Sequence, residues 1–168
     1  MSTSRAFELL HMDLFGPTTY TSIGGNKYGF VIVDDYTRYT WVFFLYDKSE
    51  VYELFKSFVK RVQNEFEVTI KKIRSDNGSE FKNTRIEELC DELGIGHQFS
   101  PTYTPQSNGV VERKNRTLID MARLMLSEYN VSQSFWDEAI NTACYYLNRL
   151  YCHPLLSKTL LAFLSTIT

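Results

Sequence analysis

The sequence is poor in the residues that form disulfide frameworks and zinc sites. Three cysteines and three histidines occur among 168 residues. Cys90, Cys144 and Cys152 are too widely separated for a Cys-x-x-Cys motif, and their odd number argues against a complete disulfide framework. The histidines show no zinc-ligand spacing, and Cys152 beside His153 is the only close pair. The pattern favours a reducing compartment and ordinary packed or solvated side chains.

The sequence also has no long apolar run. No stretch reaches the roughly 18 uncharged apolar residues that a bilayer-spanning helix needs. The first residues contain no basic segment that leads into an apolar one. We therefore expect no membrane-spanning segment, and no targeting signal is visible.

An excess of positive charge is missing as well, since the formal net charge is −2. A strong nonspecific DNA-binding body is usually basic, so any nucleic-acid surface must be local. Two basic segments qualify, 56–74 and 113–116. We interpret the first as a solvated helix face, whereas the second begins beside a candidate catalytic residue.

The chain contains enough apolar residues, 43% of the total, for one domain with a substantial core. Aromatic and β-branched runs alternate with segments of helical apolar spacing. They predict strands at 7–14, 28–34, 39–46, 68–74 and 96–99. They also predict helices from Ser49 as the cap to 62, at 83–93 and 110–129, and from Ser132 or Ser134 to 150. This order, with mixed strand directions, predicts a layered α/β domain.

Three carboxylates stand in distinctive settings. Asp13 and Asp76 end predicted strands, and Glu112 follows the turn-rich segment 100–109 at the start of a predicted helix. Helical offsets place Glu112, Arg116 and Arg123 on one stripe, apart from the apolar one. A few converging carboxylates can hold a pair of divalent ions that act on a phosphodiester. The chain is thus first interpreted as a metal-dependent enzyme acting on nucleic acid.

Each carboxylate also has an ordinary structural explanation. Asp13 would form a turn before Gly-Pro, Asp76 an Asx turn before Asn-Gly, and Glu112 would be favoured by the helix dipole. Asp34 and Asp35 are rival carboxylates, which a hairpin turn explains.

Five stretches, in order along the chain, resemble the catalytic core of copia-type long-terminal-repeat retrotransposon integrases, within the retroviral integrase superfamily. They are LLHMDLFGP at 9–17, YGFVIVDDYTRYTWV at 28–42, IRSDNGSEF at 73–81, TPQSNGVVERKNRTL at 104–118 and FWDEAINTACY at 135–145. The resemblance covers residues 1–159 and implies an RNase H-like fold with a mixed five-stranded sheet flanked by helices. Residues 160–168 depart from the family pattern, and we expect a divergent tail there.

The resemblance implies a polynucleotidyl transferase that processes the 3′ ends of retroelement DNA and transfers the strands into target DNA. By the same resemblance, Asp13, Asp76 and Glu112 would bind two Mg²⁺ or Mn²⁺ ions. Asp13 would bridge both ions, Asp76 would complete one site and Glu112 the other. Hard oxygen ligands suit these cations.

DNA contacts are expected beside this site. Arg113, Lys114 and Arg116 would hold the phosphate backbone, which positions a duplex without specifying its sequence. Gln106 and Asn108 would touch DNA near the scissile bond. Family analogy implies a homo-oligomer and a location in the nucleus or in a cytoplasmic virus-like particle.

Two alternatives stay open. Full-length integrases carry a zinc-binding module before the core and further sequence after it, which these 168 residues do not include. The second hypothesis is therefore a truncated, catalytically silent remnant that binds nucleic acid. A plain ribonuclease H is a weaker alternative, because the segment around Glu112 resembles integrases specifically.

Overall fold

The structure, a computed structural model, describes residues 3–100 and 109–150. One five-stranded sheet forms its centre, in the order β3-β2-β1-β4-β5. The strands are β1 (Leu9–Phe15), β2 (Tyr28–Asp34), β3 (Thr40–Leu45), β4 (Lys72–Ser75) and β5 (Gly96–Phe99). β1, β2 and β3 pair antiparallel, whereas β4 lies parallel to β1 and β5 parallel to β4. The predicted mixed sheet is confirmed.

Helices cover both faces of this sheet. They are α1 (Val51–Phe66), α2 (Thr84–Leu93), α3 (Gly109–Glu128) and α4 (Trp136–Leu150). α1 and α2 pack over one core, which contains Leu10, Met12 and Ile73. α3 and α4 pack over a second core on the opposite face, which contains Val31 and Val33. The predicted α/β layered class and RNase H-like architecture are thereby confirmed.

Alternation along β1 separates apolar from functional side chains. Leu10 and Met12 point into the core beneath α1 and α2. Successive side chains of a strand point to opposite faces, so His11 and Asp13 belong to the face covered by α3 and α4. This alternation places a carboxylate at the sheet surface on which α3 lies.

Two strands start at least two residues later than predicted. β1 starts at Leu9 instead of residue 7, because Phe7 adopts a left-handed backbone conformation with φ 61°, which a strand does not accommodate. β4 starts at Lys72 instead of residue 68, since its pairing with β1 begins only at Leu9.

The first helix is also capped differently from the prediction. Asp47, instead of Ser49, accepts a hydrogen bond from a backbone N–H, and Glu50 completes a capping box with it. A short 3₁₀ turn, Lys48–Glu50, therefore precedes α1. Over the ranges 3–100 and 109–150, no helix combines the length and apolar character needed to cross a bilayer.

Candidate active site

Parallel pairing of β1 and β4 brings Asp13 and Asp76 to neighbouring positions. His11 of β1 is paired in register with Arg74 of β4. Asp13 and Asp76 each follow two residues later, so they lie at the same end of adjacent strands and on the same face of the sheet. Asp13 is partly buried and Asp76 is exposed.

Glu112 belongs to the helix that covers the sheet face of Asp13. It lies in the first turn of α3 and is exposed to solvent. α3 is held on β1 and β2 by a buried stripe that includes Val111, Leu118 and Ala122. The stripe agrees with the predicted helical offsets and turns Glu112 away from the core.

The pKa of Asp13 reflects its burial and its charged neighbours. Burial first, and then the negative charges of Asp76 and Glu112, raise the pKa of the Asp13 carboxyl to about 6. Hydrogen bonds from the Leu14 backbone and the Asn115 side chain oppose this rise. The ionised form of Asp13 is thus disfavoured by burial and by neighbouring negative charge, and a bound cation would relieve this condition.

Asn115 is a site residue that the sequence reasoning missed. Its side chain is 5% exposed, and Nδ2 donates a hydrogen bond to Asp13 Oδ2 over 2.7 Å. Its Oδ1 is buried and has no hydrogen-bond partner. The available signal was a polar residue on the apolar stripe of α3, four positions after Val111 and three before Leu118.

The donor set suits Mg²⁺ or Mn²⁺ by its chemistry. Carboxylate and amide oxygens are the ligands that these hard cations prefer, and the unpartnered Oδ1 of Asn115 adds a buried acceptor beside Asp13. Asp76 accepts a hydrogen bond from the Gly78 backbone at Oδ1, 2.9 Å, as in the Asx turn considered for it. In the part of the chain that the structure describes, no three His, Cys, Asp or Glu side chains are placed to hold a metal ion. The metal site at Asp13, Asp76 and Glu112 stays a prediction.

The rival carboxylates have structural partners. Asp34 is buried and accepts hydrogen bonds from the Phe7 backbone and from the backbone and hydroxyl of Thr37. Asp35 Oδ1 lies 2.7 Å from Nε2 of the buried His11, and this hydrogen bond is the main cause that lowers the pKa of Asp35 to about 2. Asp34 holds the turn between β2 and β3, and Asp35 joins this turn to β1.

The basic residues beside Glu112 have different settings. Arg113 and Arg116 are exposed, and Arg116 lies one helical turn from Glu112 on the same face. Lys114 is partly buried, and burial lowers the pKa of its ammonium group near Cys144 and Arg38. Lys114 therefore lies toward α4.

The other predicted DNA contacts precede α3 in the sequence. Gln106 and Asn108 lie outside the described residues. Gly109 is the first residue of α3 and is buried.

Sheet order and flanking helices define this class of protein as an RNase H-like α/β domain. The integrase core domain model matches residues 3–105, a range that contains Asp13 and Asp76 and ends before Glu112. The chain belongs to the integrase core domain family.

Curated relatives are polyproteins of retrotransposons. The chain is 42% identical over 148 residues to the retrovirus-related Pol polyprotein from transposon TNT 1-94 of Nicotiana tabacum. It is 36% identical over 150 residues to that from transposon RE2 of Arabidopsis thaliana, and 30% identical over 146 residues to the transposon Ty1-DR4 Gag-Pol polyprotein of Saccharomyces cerevisiae. These alignments cover 88%, 89% and 86% of the chain but only 11%, 10% and 9% of the relatives. The chain spans about a tenth of the polyproteins it matches.

Solved structures support the fold. A simian T-cell lymphotropic virus intasome in complex with a PP2A regulatory subunit contains a chain that matches with a TM-score of 0.71 and 20% identity. The match covers 94% of this chain and 54% of that one. The HTLV-2 integrase catalytic core domain in complex with magnesium, a trimeric form, matches with a TM-score of 0.66 and 22% identity, over 92% of this chain and 94% of the other.

Proposed function

We propose that this chain is an integrase catalytic core that processes the 3′ ends of retroelement DNA and transfers them into target DNA. The observation that carries the proposal is the position of Asp13 and Asp76 at the same end of two neighbouring parallel strands, on the sheet face covered by the helix that contains Glu112. Asp13 and Asp76 lie on neighbouring parallel strands, and Glu112 on α3 is close enough to raise the pKa of Asp13. Membership of the integrase core family supports the same activity.

Asp13, Asp76 and Glu112 would hold two Mg²⁺ or Mn²⁺ ions, with Asp13 shared between the two sites. Bound in pairs, such ions activate an attacking oxygen and stabilise a leaving oxygen at a phosphodiester. The exposure of Asp76 and Glu112 leaves space for phosphate oxygens beside their carboxylates. The magnesium complex of the similar HTLV-2 core supports this choice of ion.

Other residues of the chain would orient and bind. Asn115 fixes the Asp13 carboxylate through its 2.7 Å hydrogen bond. Arg113 and Arg116 would bind DNA phosphates beside Glu112, because exposed guanidinium groups neutralise the backbone without discriminating sequence. Lys114 is included in this proposed DNA surface as the family motif suggests, although its partly buried position gives it the smallest role.

We extend the proposal to the rest of the chain and to its partners. The core would span residues 1–159, followed by a divergent tail at 160–168, with Gln106 and Asn108 near the scissile bond. Retroelement ends and target DNA would be its substrates, and a homo-oligomer in the nucleus or a cytoplasmic virus-like particle its setting. The trimeric form and the intasome among the similar structures support assembly.

The proposal is tested by incubating the purified chain with Mg²⁺ or Mn²⁺ and a branched DNA that resembles the integration product. Asp76→Asn and Glu112→Gln should each abolish joining, because each substitution removes a metal-ligand charge at an exposed position. Both variants should unfold at the same urea concentration as the wild type.

Glu87→Gln is the matched control for Glu112→Gln, because Glu87 is also an exposed glutamate in the first turn of a helix, α2. It should leave joining unchanged. Equal activity in wild type, Asp76→Asn and Glu112→Gln, or no activity in any of them, would contradict the catalytic proposal. DNA binding without joining would then support the alternative, a catalytically silent nucleic-acid-binding remnant.

A further inference from the structure

Ser75, which is buried, and His97, which is partly buried, form a polar pair beside Asp76. Ser75 is the last residue of β4 and is 0% exposed. His97 lies in the adjacent β5, where its backbone is in register with Ile73. Because Ile73 belongs to the core beneath α1 and α2, Ser75 and His97 occupy that face, opposite to the face of Asp76.

The hydrogen bonds of this pair have a defined direction. Ser75 Oγ donates to the backbone carbonyl of Asp76 over 2.9 Å. A hydroxyl has a single proton, so the contact of 2.9 Å between Ser75 Oγ and His97 Nε2 requires Nε2–H to donate. The resulting chain runs from the imidazole through the hydroxyl to the Asp76 carbonyl.

His97 is held neutral in this arrangement. Its Nδ1 is buried without a hydrogen-bond partner, and its ring packs against Phe99 with centroids 4.1 Å apart. Burial lowers the pKa of His97 to about 4. Near neutral pH the ring therefore keeps one proton, which the geometry assigns to Nε2.

The pair acts at the point where the strand leaves the sheet. Ser100 donates its backbone N–H to the Ser75 carbonyl over 2.8 Å, which continues the ladder to the end of β4. The next carbonyl, that of Asp76, is bound by the Ser75 hydroxyl instead. The next residue, Asn77, donates a hydrogen bond from Nδ2 to the Ser100 carbonyl over 2.9 Å. Backbone contacts on both sides of the Asp76 carboxylate thus set its direction.

Packing alone does not explain this choice of residues. A buried acceptor without a partner, such as His97 Nδ1, destabilises the fold, and an apolar pair would fill the same space without that penalty. Groups that orient a metal ligand from behind are typical of metal sites and tune the affinity for the ion.

We propose that Ser75 and His97 are positioning residues that hold Asp76 in the orientation required for a divalent cation. This inference rests on the proposed function, since it takes Asp76 as a metal ligand. It adds two residues, from the opposite face of the sheet, to a site otherwise formed on the α3 side.

Mn²⁺ binding to the DNA-free chain, followed by electron paramagnetic resonance, tests the inference without any catalytic readout. Ser75→Ala and His97→Leu should each raise the Mn²⁺ dissociation constant about tenfold, because each breaks the hydrogen-bond chain to the Asp76 carbonyl. The double variant should raise the dissociation constant no further than the single variant with the larger effect, since the two residues act in series. His97→Gln, which keeps an N–H donor near the Nε2 position, should bind Mn²⁺ within about threefold of wild type.

Ser22→Ala is the matched control, because Ser22 is also buried and its Oγ accepts a hydrogen bond from the Asn26 backbone far from the site. Its Mn²⁺ affinity should equal that of the wild type. Urea unfolding midpoints separate positioning from stability. A lower midpoint with wild-type Mn²⁺ affinity in both Ser75→Ala and His97→Leu would overturn the inference and leave the proposed function intact.

The NMR chemical shifts of the His97 imidazole nitrogens provide a second test of the inference. The Nε2-protonated neutral ring is expected at pH 6.5, and a charged ring or the Nδ1-protonated form would overturn the inference. A wild-type chain that binds no Mn²⁺ would overturn the proposed function and this inference together.

Discussion

Asn115 on α3 and Asp13 on β1 are joined by a 2.7 Å hydrogen bond that connects residues 102 positions apart in sequence. Asn115 lies three residues after Glu112, so both side chains belong to the same stretch of helix, about one turn apart. The bond therefore fixes the strand that contains one predicted metal ligand against the helix that contains another. It also opposes the rise in the Asp13 pKa that burial and the neighbouring charges cause.

We expect Asn115→Leu to reduce joining of branched DNA by about 10- to 100-fold, because the Asp13 carboxylate loses the group that orients it. Leucine suits the apolar stripe of α3, and it removes the buried unpartnered Oδ1. The free energy of unfolding should consequently change by less than about 1 kcal/mol, as measured in urea. An undiminished joining rate in a folded variant would show that Asp13 needs no such orientation.

The sequence could predict the order of elements and the setting of the three carboxylates, because strand and helix periodicities are local patterns. It could not reveal the bond from Asn115 to Asp13, which depends on how α3 lies across the sheet. The polar residue on an otherwise apolar stripe was a visible signal, but it does not identify the partner. Ser75 and His97 gave no signal, because their contact depends on the pairing of β4 with β5.

Boundaries failed where tertiary contacts overrode local propensity. Phe7 is an aromatic residue of the kind that favours strands. Its N–H nevertheless donates to the buried Asp34 carboxylate, and its backbone is left-handed. Ser49 was the predicted cap of the first helix, but Asp47 caps the 3₁₀ turn that precedes α1, with Glu50 as its reciprocal partner. Such choices between adjacent residues are made by the positions of hydrogen-bond partners.

A second prediction concerns the pH dependence of stability. Asp13 has a folded-state pKa raised to about 6 from 3.8, so the folded protein binds the proton more tightly than the unfolded chain does. Its contribution to stability is fully present below about pH 4 and is lost as pH rises through 6. Asp13→Asn should accordingly raise the free energy of unfolding at pH 7.5, without divalent ions, by an amount on the order of 2 kcal/mol. The difference should vanish near pH 4.

Divalent ions provide the companion measurement. Mg²⁺ should raise the unfolding midpoint of the wild type at pH 7.5, because an ion bound only by the folded state stabilises it. Asp13→Asn should show little of this effect, and Asp120→Asn, at an exposed aspartate on α3, should respond like the wild type. Equal Mg²⁺ responses in wild type and Asp13→Asn would contradict the assignment of Asp13 as a ligand.

A third prediction separates the rival carboxylate Asp35 from the site. Its pKa is lowered to about 2, chiefly by the hydrogen bond with His11, so its contribution to stability is present above pH 4 and is lost as pH falls toward 2. Asp35→Asn should lower the free energy of unfolding at pH 7 by about 1–3 kcal/mol, because the buried His11 loses a charged partner. The loss should shrink below pH 4. Mn²⁺ affinity should match that of the wild type, and a weakened affinity would place Asp35 among the metal ligands.

The fourth prediction distinguishes the basic residues of α3 by the salt dependence of DNA binding. Each phosphate contact contributes about 0.9 to the slope of log affinity against log salt concentration. Arg116 is exposed one turn from Glu112, so Arg116→Gln should reduce the magnitude of the slope by about 0.9, the contribution of one phosphate contact. Lys114 is partly buried toward Cys144, and Lys114→Gln should leave the slope almost unchanged, as should Lys60→Gln on the solvated face of α1. Fluorescence anisotropy of labelled duplex DNA at several salt concentrations measures these slopes.

Equal reductions for Arg116→Gln and Lys114→Gln would show that the Lys114 ammonium group reaches DNA. An unchanged slope for Arg116→Gln would remove the face beside Glu112 from the DNA surface.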